Sequence, residues 1–271
     1  MIRFPDDHWS VILGGSSGFG FAAALKLASH GMNICIVHRD RRGAMKRIAP
    51  MFDRIRAKGV RLMTINTDAL AQEGRLTVLE SLSDRLGESG KIRMILHSVA
   101  FGNLKLLVPF DDPEGIYSQD HILDKDDFSR TVQAMGSNIV EWVQDIHRRG
   151  LFTDDARVLS LTSEGNRIAW KGYAAVSAAK AVLESVSRAM AVEFASFGIR
   201  SNVIQAGVTD TPALQAIPGN HKIKAGALAR NPFRRLTVPE DVANVIFLLC
   251  MDEASWVNGS LICVDGGESI A

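Results

Sequence analysis

Trp9-Ser-Val-Ile-Leu13 runs directly into Gly14-Gly15-Ser16-Ser17-Gly18-Phe19-Gly20, and an Ala- and Leu-rich stretch of helical periodicity follows to His30. A short apolar run, a glycine-rich turn and a helix, in that order, decide the fold. A tight strand-to-helix turn needs residues without a Cβ if the backbone is to approach a pyrophosphate, and the helix that starts there supplies amide donors and partial positive charge. Gly14, Ser16, Ser17, Gly18, Phe19 and Gly20 are therefore candidates for a dinucleotide cradle. A lone glycine-rich run is weak evidence; its place at the head of a repeating pattern gives it weight.

Six further strand candidates follow: Asn33 to His38, Val60 to Asn66, Ile92 to His97, Arg157 to Leu161, Arg200 to Gln205 and Leu261 to Val264. The six connections between these seven strands are long enough for helices, and near-continuous apolar strands mean both sheet faces are covered. The expected fold is α/β: a doubly wound, Rossmann-type, seven-stranded parallel sheet with helices on both faces. With 271 residues and no linker, residues 1–271 read as one domain. Two segments break the rhythm, Gly102 to Lys125 and Pro212 to Arg235; long connections of this kind form active-site walls or lids.

Hydrophobic residues make up 46% and charged residues 23% of the chain, and the net charge is +1, which argues against the basic field that nucleic-acid binding requires. The apolar run Val245 to Met251 is too short to span a bilayer, and Met1 to His8 has no apolar targeting core. Cys35, Cys250 and Cys263 read as reduced core thiols rather than a disulfide set, so a soluble cytoplasmic protein is expected. His8, His30, His121, His147 and His221 lack ligand spacing, so no metal site is expected. Trp142 and Met190 fit core or subunit contacts.

At the end of the second strand, where an NAD-preferring site holds an acid for the ribose 2′-hydroxyl, the chain reads Val37-His38-Arg39-Asp40-Arg41-Arg42. His38 is no carboxylate, and Arg39 suits a 2′-phosphate, so NADPH is favoured over NADH. A solvated helix start is the other reading of these arginines. Asp68 with Ala69, at the end of the third strand, fits either an adenine contact or a helix cap.

Tyr173-Ala-Ala-Val-Ser-Ala-Ala-Lys180 opens a long Ala-rich helix pattern that continues to about Phe197. Seven residues are about two helical turns, so Tyr173 and Lys180 share one face about 10 Å apart. Val176 fills the position four before the lysine. For a ketone, hydride lands one bond from the oxygen; for a conjugated thioester it lands on the β-carbon, and charge develops on an oxygen roughly 3 to 4 Å away. A tyrosine set back along the helix suits the second case. A buried lysine on such a helix needs a partner to offset its desolvation.

This Tyr-six-residues-Lys spacing, with His97-Ser98-Val99-Ala100-Phe101, Ala206-Gly207-Val208-Thr209-Asp210-Thr211 and Val264-Asp265-Gly266-Gly267, resembles the enoyl-acyl-carrier-protein reductases of the short-chain dehydrogenase/reductase superfamily over essentially the whole chain. The regular glycine loop, and Ser163 where the best-known members have a second tyrosine, resemble that family's divergent type; Asn138 matches an asparagine of the ordinary reductases. The resemblance implies that Tyr173 stabilises the enolate and that Lys180 binds the nicotinamide ribose. Ser98, Val99 and Ala100 would contact the cofactor, Val99 along that ribose, and Val208, Thr209 and Thr211 would lie at the carboxamide and pyrophosphate. Ser163 and Asn138 are implied as helpers, relics or structural groups.

It further implies NADPH-dependent reduction of trans-2-enoyl thioesters in fatty-acid synthesis, a substrate carried by acyl-carrier protein or coenzyme A, a substrate-covering loop over about 212–235, and a homotetramer. A basic run, Asn220 to Lys224 with Arg230, Arg234 and Arg235, fits either carrier docking or a solvated face. A 3-oxoacyl or other carbonyl reductase of the same fold, and a silent dinucleotide-binding protein, remain alternatives.

Overall fold

All seven expected strands form, and every one runs parallel to its neighbours: β1 (His8–Leu13), β2 (Asn33–His38), β3 (Leu62–Asn66), β4 (Lys91–His97), β5 (Phe152–Thr162), β6 (Ile199–Ala206) and β7 (Leu261–Val264). This computed structural model describes residues 2–118 and 122–271. His121 lies outside the described residues. The sheet order is β3-β2-β1-β4-β5-β6-β7, so the winding reverses between β1 and β4 and opens a crevice at the carboxyl ends of those strands, where α/β folds bind ligands.

Alternation along the strands covers both faces. Ile12, Ile36, Leu96, Leu159 and Ile204 face one layer, formed by α1 (Gly18–Ser29), α2 (Met45–Arg56) and α9 (Pro239–Leu249). Val11, Leu13, Val37, Ile95 and Val158 face the other, formed by α3 (Gln72–Leu86), α5 (Asn138–Arg148) and α6 (Ala174–Glu193). Trp142 and Met190 lie in this second core. Between α4 (Lys125–Val132) and α5 the helix widens into a π-turn at Gln133–Ser137, a distortion frequent at functional sites.

Three expectations change. β5 starts at Phe152 rather than Arg157, pairing Phe152 with Ile92 and Ala156 with Ile199. Residues 212–235 are not a loop throughout: α7 (Pro212–Gln215) and α8 (Asn220–Arg230) occupy most of them. Cys35 and Cys250 are buried thiols, pushed up to about 12 by burial, but Cys263 is exposed because it lies on the terminal strand β7. Among the described residues no helix is long and apolar enough to cross a membrane, and no group of three or more His, Cys, Asp or Glu residues could hold a metal.

Candidate active site

The glycine turn at β1 adopts the conformation its composition allows. Gly14 and Gly18 have φ of +86° and +53°, the left-handed region that L side chains rarely enter. A Cβ at Gly14 would strike the Ser98 carbonyl, and one at Gly20 the Gly14 carbonyl. Ser17 is extended, its side chain does not cap α1, and the first turn holds no acid, so the leading amides and their positive dipole end keep their capacity for an anion.

In front of this helix end lies a cavity of about 300 Å³, into which three chain crossings converge. Gly14, Ser17, Gly18 and Phe19 border it from the turn, Ser98, Val99 and Ala100 from the end of β4, and Val208, Thr209 and Thr211 from the end of β6. Ser16 and Gly20 are not in its wall; Gly20 acts instead through its close approach to Gly14. The open amides, the glycine cradle and the crevice position all fit a dinucleotide.

The residues expected at the adenosine end stand outside this wall. His38 is buried against Phe52 and pairs with Asp40 at 2.9 Å, because its side chain faces the α2 layer. Arg39, the first residue past the strand, bonds Asp68 at 2.5 Å and lies over the Phe101 ring, 5.6 Å from its centroid. Asp68 also accepts from the Leu70 amide, whereas the residue preceding the first turn of α3 is Ala71, so Asp68 is not the cap. The Ala69 carbonyl receives the Asn138 amide at 3.3 Å and the Trp142 indole at 2.9 Å. Asn138 thus ties α5 to the β3–α3 turn, fully buried and away from the cavity wall.

Tyr173 and Lys180 both border the cavity. Tyr173 is the residue before α6 rather than part of it, at φ −107° and ψ 3°, and its carbonyl accepts the Ser177 amide. Its hydroxyl is 3.5 Å from the Ser163 hydroxyl, the outer limit of a hydrogen bond. Burial raises the phenol's pKa, and Ser163 opposes this. Lys180 is 6% exposed and donates to the Leu161 carbonyl at 2.8 Å; burial brings its ammonium down to about 8, with Glu184 pulling upward. One backbone acceptor leaves two of its three donors for a ligand. Val176, apolar and buried, borders the cavity from the position four before Lys180.

Glu164, Trp170 and Glu268, all in the cavity wall, carry no local signal in the sequence. Glu164 and Glu268 are buried carboxylates 104 residues apart, joined by Arg230 of α8 at 2.6 and 3.4 Å. Burial raises the Glu268 pKa, while the Val208 amide donates to its carboxylate. Trp170 packs edge-on to Tyr173, with ring centroids 5.2 Å apart. His97 is fully buried; burial, and then the Lys180 charge, hold it down at about 3 despite the Ala134 backbone, so it is neutral. Neither of its ring nitrogens has a partner of full hydrogen-bond geometry among the described residues.

A family model described as Enoyl-(Acyl carrier protein) reductase matches residues 14–269. The chain belongs to this family of short-chain reductases. Its relatives vary in what they act on. It is 28% identical to a 1-cyclohexenylcarbonyl-CoA reductase from Streptomyces collinus, covering 96% of this chain and 86% of the relative. It is also 28% identical to a cis-4-hydroxycyclohexanecarboxylate dehydrogenase from Sinomonas cyclohexanicum, covering 95% of each. In structure it resembles FabI from Candidatus Liberibacter asiaticus, with a TM-score of 0.84, 22% identity, and 100% and 98% of the two chains covered. As a member of the enoyl-(acyl carrier protein) reductase family, the chain is an oxidoreductase, and its doubly wound sheet is the fold of that neighbour.

Proposed function

We propose that this enzyme reduces the carbon–carbon double bond of trans-2-enoyl thioesters with NADPH, a reaction of fatty-acid synthesis. The observation that carries the reading is that Tyr173 and Lys180 border one cavity, with buried Val176 at the position four before the lysine, where the commoner short-chain carbonyl reductases have their tyrosine by resemblance. The relative that acts on 1-cyclohexenylcarbonyl-CoA, a conjugated thioester by its name, supports it.

When bound beside these residues, a reduced nicotinamide would supply the hydride that a conjugated thioester takes at its β-carbon. Negative charge then gathers on the thioester oxygen, where the Tyr173 hydroxyl donates a hydrogen bond. The Lys180 ammonium keeps the local field positive and has donors for ribose hydroxyls. The enolate's α-carbon takes its proton from solvent. Leu104, Met135, Val176, Ile217 and Ile223 line the cavity and suit an apolar acyl group.

NADPH is favoured because Arg39 is the cation at the end of β2, and Asp40, the acid next to it in sequence, is already paired with His38. A 2′-phosphate would compete with Asp68 for the Arg39 guanidinium. For delivery we favour coenzyme A over an acidic carrier protein. Lys222, Lys224, Arg230 and Arg235 pair with Glu114, Asp210, Glu164 and Asp241, which neutralises much of the basic run. Val192 and Phe197, exposed at and just beyond the end of α6, support a homotetramer built through that helix; sedimentation tests it, and a monomer at micromolar concentration excludes it.

The deciding assay follows NADPH absorbance with crotonyl-CoA against acetoacetyl-CoA. Oxidation with crotonyl-CoA supports the proposal; oxidation with acetoacetyl-CoA alone rejects it. The second reading, a carbonyl reductase, is favoured by the Ser163 hydroxyl 3.5 Å from that of Tyr173 and predicts the reverse preference.

A further inference from the structure

Gly165 has an ordinary backbone conformation, so its glycine is not there for a left-handed turn. It is buried in the short turn Glu164–Asn166 that follows β5, and what it supplies is space. A Cβ built on it would sit 2.5 Å from Cε1 and 3.1 Å from Cδ1 of Tyr173, and 3.2 Å from Cζ3 of Trp170. Carbon atoms in contact settle at about 3.5–4.0 Å, so the Tyr173 ring occupies volume that any side chain at 165 would claim.

Side-chain contacts tie the turn to its neighbours on two sides. On one side Glu184 of α6 accepts from the Asn166 amide and, at 2.9 Å, from the Thr162 hydroxyl. On the other, Arg230 of α8 bonds Glu164 at 2.6 Å. Nor is the ring free: Trp170 stands edge-on against it and the side chain is almost wholly buried. A methyl group at 165 therefore has to displace the ring.

We infer that Gly165 is a positioning residue for the Tyr173 hydroxyl: the missing Cβ forms the seat into which the ring settles, and the Glu184 and Arg230 contacts hold that seat rigid. The inference rests on the proposed role of Tyr173. Reactive groups tolerate little displacement, since about 1 Å costs roughly 10²-fold in rate. The lid helix α8 takes part through Arg230, so the turn that seats the phenol is tied to the segment covering the cavity.

Two measurements on the full-length enzyme test this. Gly165→Ala should lower kcat at least about tenfold on whichever thioester the wild type turns over, with KM and the NADPH Kd within about twofold. Added to Tyr173→Phe, the same change should cost nothing further. Independently of turnover, Gly165→Ala should lower Tm by about 4 °C in the wild type, from overpacking, but not in a Tyr173→Ala background, where the methyl enters vacated space. A Gly165→Ala enzyme with kcat within twofold of wild type, or an equal Tm loss in both backgrounds, overturns the inference. Failure on crotonyl-CoA by the wild type rejects the enoyl reading alone, because the Tm cycle still reads the seat.

Discussion

The two ends of the sheet both bury positive charge, and they treat it in opposite ways. Toward the amino-end side of the sheet, Arg93 of β4 and Arg157 of β5 are almost fully buried, and their donors find acceptors. Arg157 bonds Asp155 and the Leu249 carbonyl, while Arg93 bonds Asp155, Asp252 and the Cys250 carbonyl. The accepting carbonyls belong to the C-terminal turn of α9, where cations also meet the negative end of the helix dipole. At the carboxyl ends, Lys180 has one backbone acceptor and a depressed pKa, His97 lacks well-formed partners, and the α1 amides are uncapped. A satisfied charge stabilises a fold; one left part-satisfied keeps capacity for a ligand.

This contrast can be broken by exchanging the consequences of mutation. The largest effect belongs to the open end: Tyr173→Phe should cut kcat by about 10²–10⁴-fold while the NADPH Kd and Tm stay near wild type. Arg157→Ala should do the reverse. Removing one partner of a buried, fully bonded pair costs about 3–5 kcal/mol of stability, read by urea unfolding, and the protein that remains folded should keep its kcat. If Arg157→Ala alters turnover at unchanged stability, the division between the two ends fails.

Arg39→Ala should weaken NADPH about tenfold and NADH by under twofold, measured by cofactor fluorescence titration. Equal losses for both would remove the 2′-phosphate assignment.

The smallest effects sharpen the comparison through pH, because the signs differ. Although partial burial opposes ionisation, the Arg157 and Arg93 guanidiniums hold the Asp155 carboxyl down at about 2. Its contribution is present above the ordinary carboxylate range and is lost as pH falls toward 2, and Asp155→Asn should flatten that acid limb. Burial instead lowers Lys180 to about 8, so its charge costs stability below pH 8, and that cost is relieved as pH rises from 8 toward 10.5. Lys180→Met should lack the alkaline gain, as followed by thermal unfolding across pH.

Most strand bounds were legible because parallel strands covered on both faces read as apolar runs that need no distant partner to be recognised. β5 was the exception: Thr153, Asp154 and Asp155 look like loop, and they extend as strand because Arg93, Arg157 and Arg200 bind Asp155. The lid shows the same limit. Pro218, Gly219 and a run of charges suggest irregular chain, yet Lys222–Glu114, Lys224–Asp210 and Arg230–Glu164, all distant in sequence, tie down α8. At the site, glycine and Tyr–Lys spacings were readable because they repeat a local geometry. Glu164 with Glu268, and the space left by Gly165 for Tyr173, come into being only when separate segments meet.

Whether the Tyr173 phenol meets an oxygen remote from the site of hydride addition can be read from the fate of a label. With crotonyl-CoA and NADPH carrying deuterium at the transferred position, deuterium is expected on C3 of butyryl-CoA and a solvent-derived hydrogen on C2, by mass spectrometry and NMR. Deuterium on the carbinol carbon of 3-hydroxybutyryl-CoA made from acetoacetyl-CoA, with crotonyl-CoA left unchanged, would contradict this expectation.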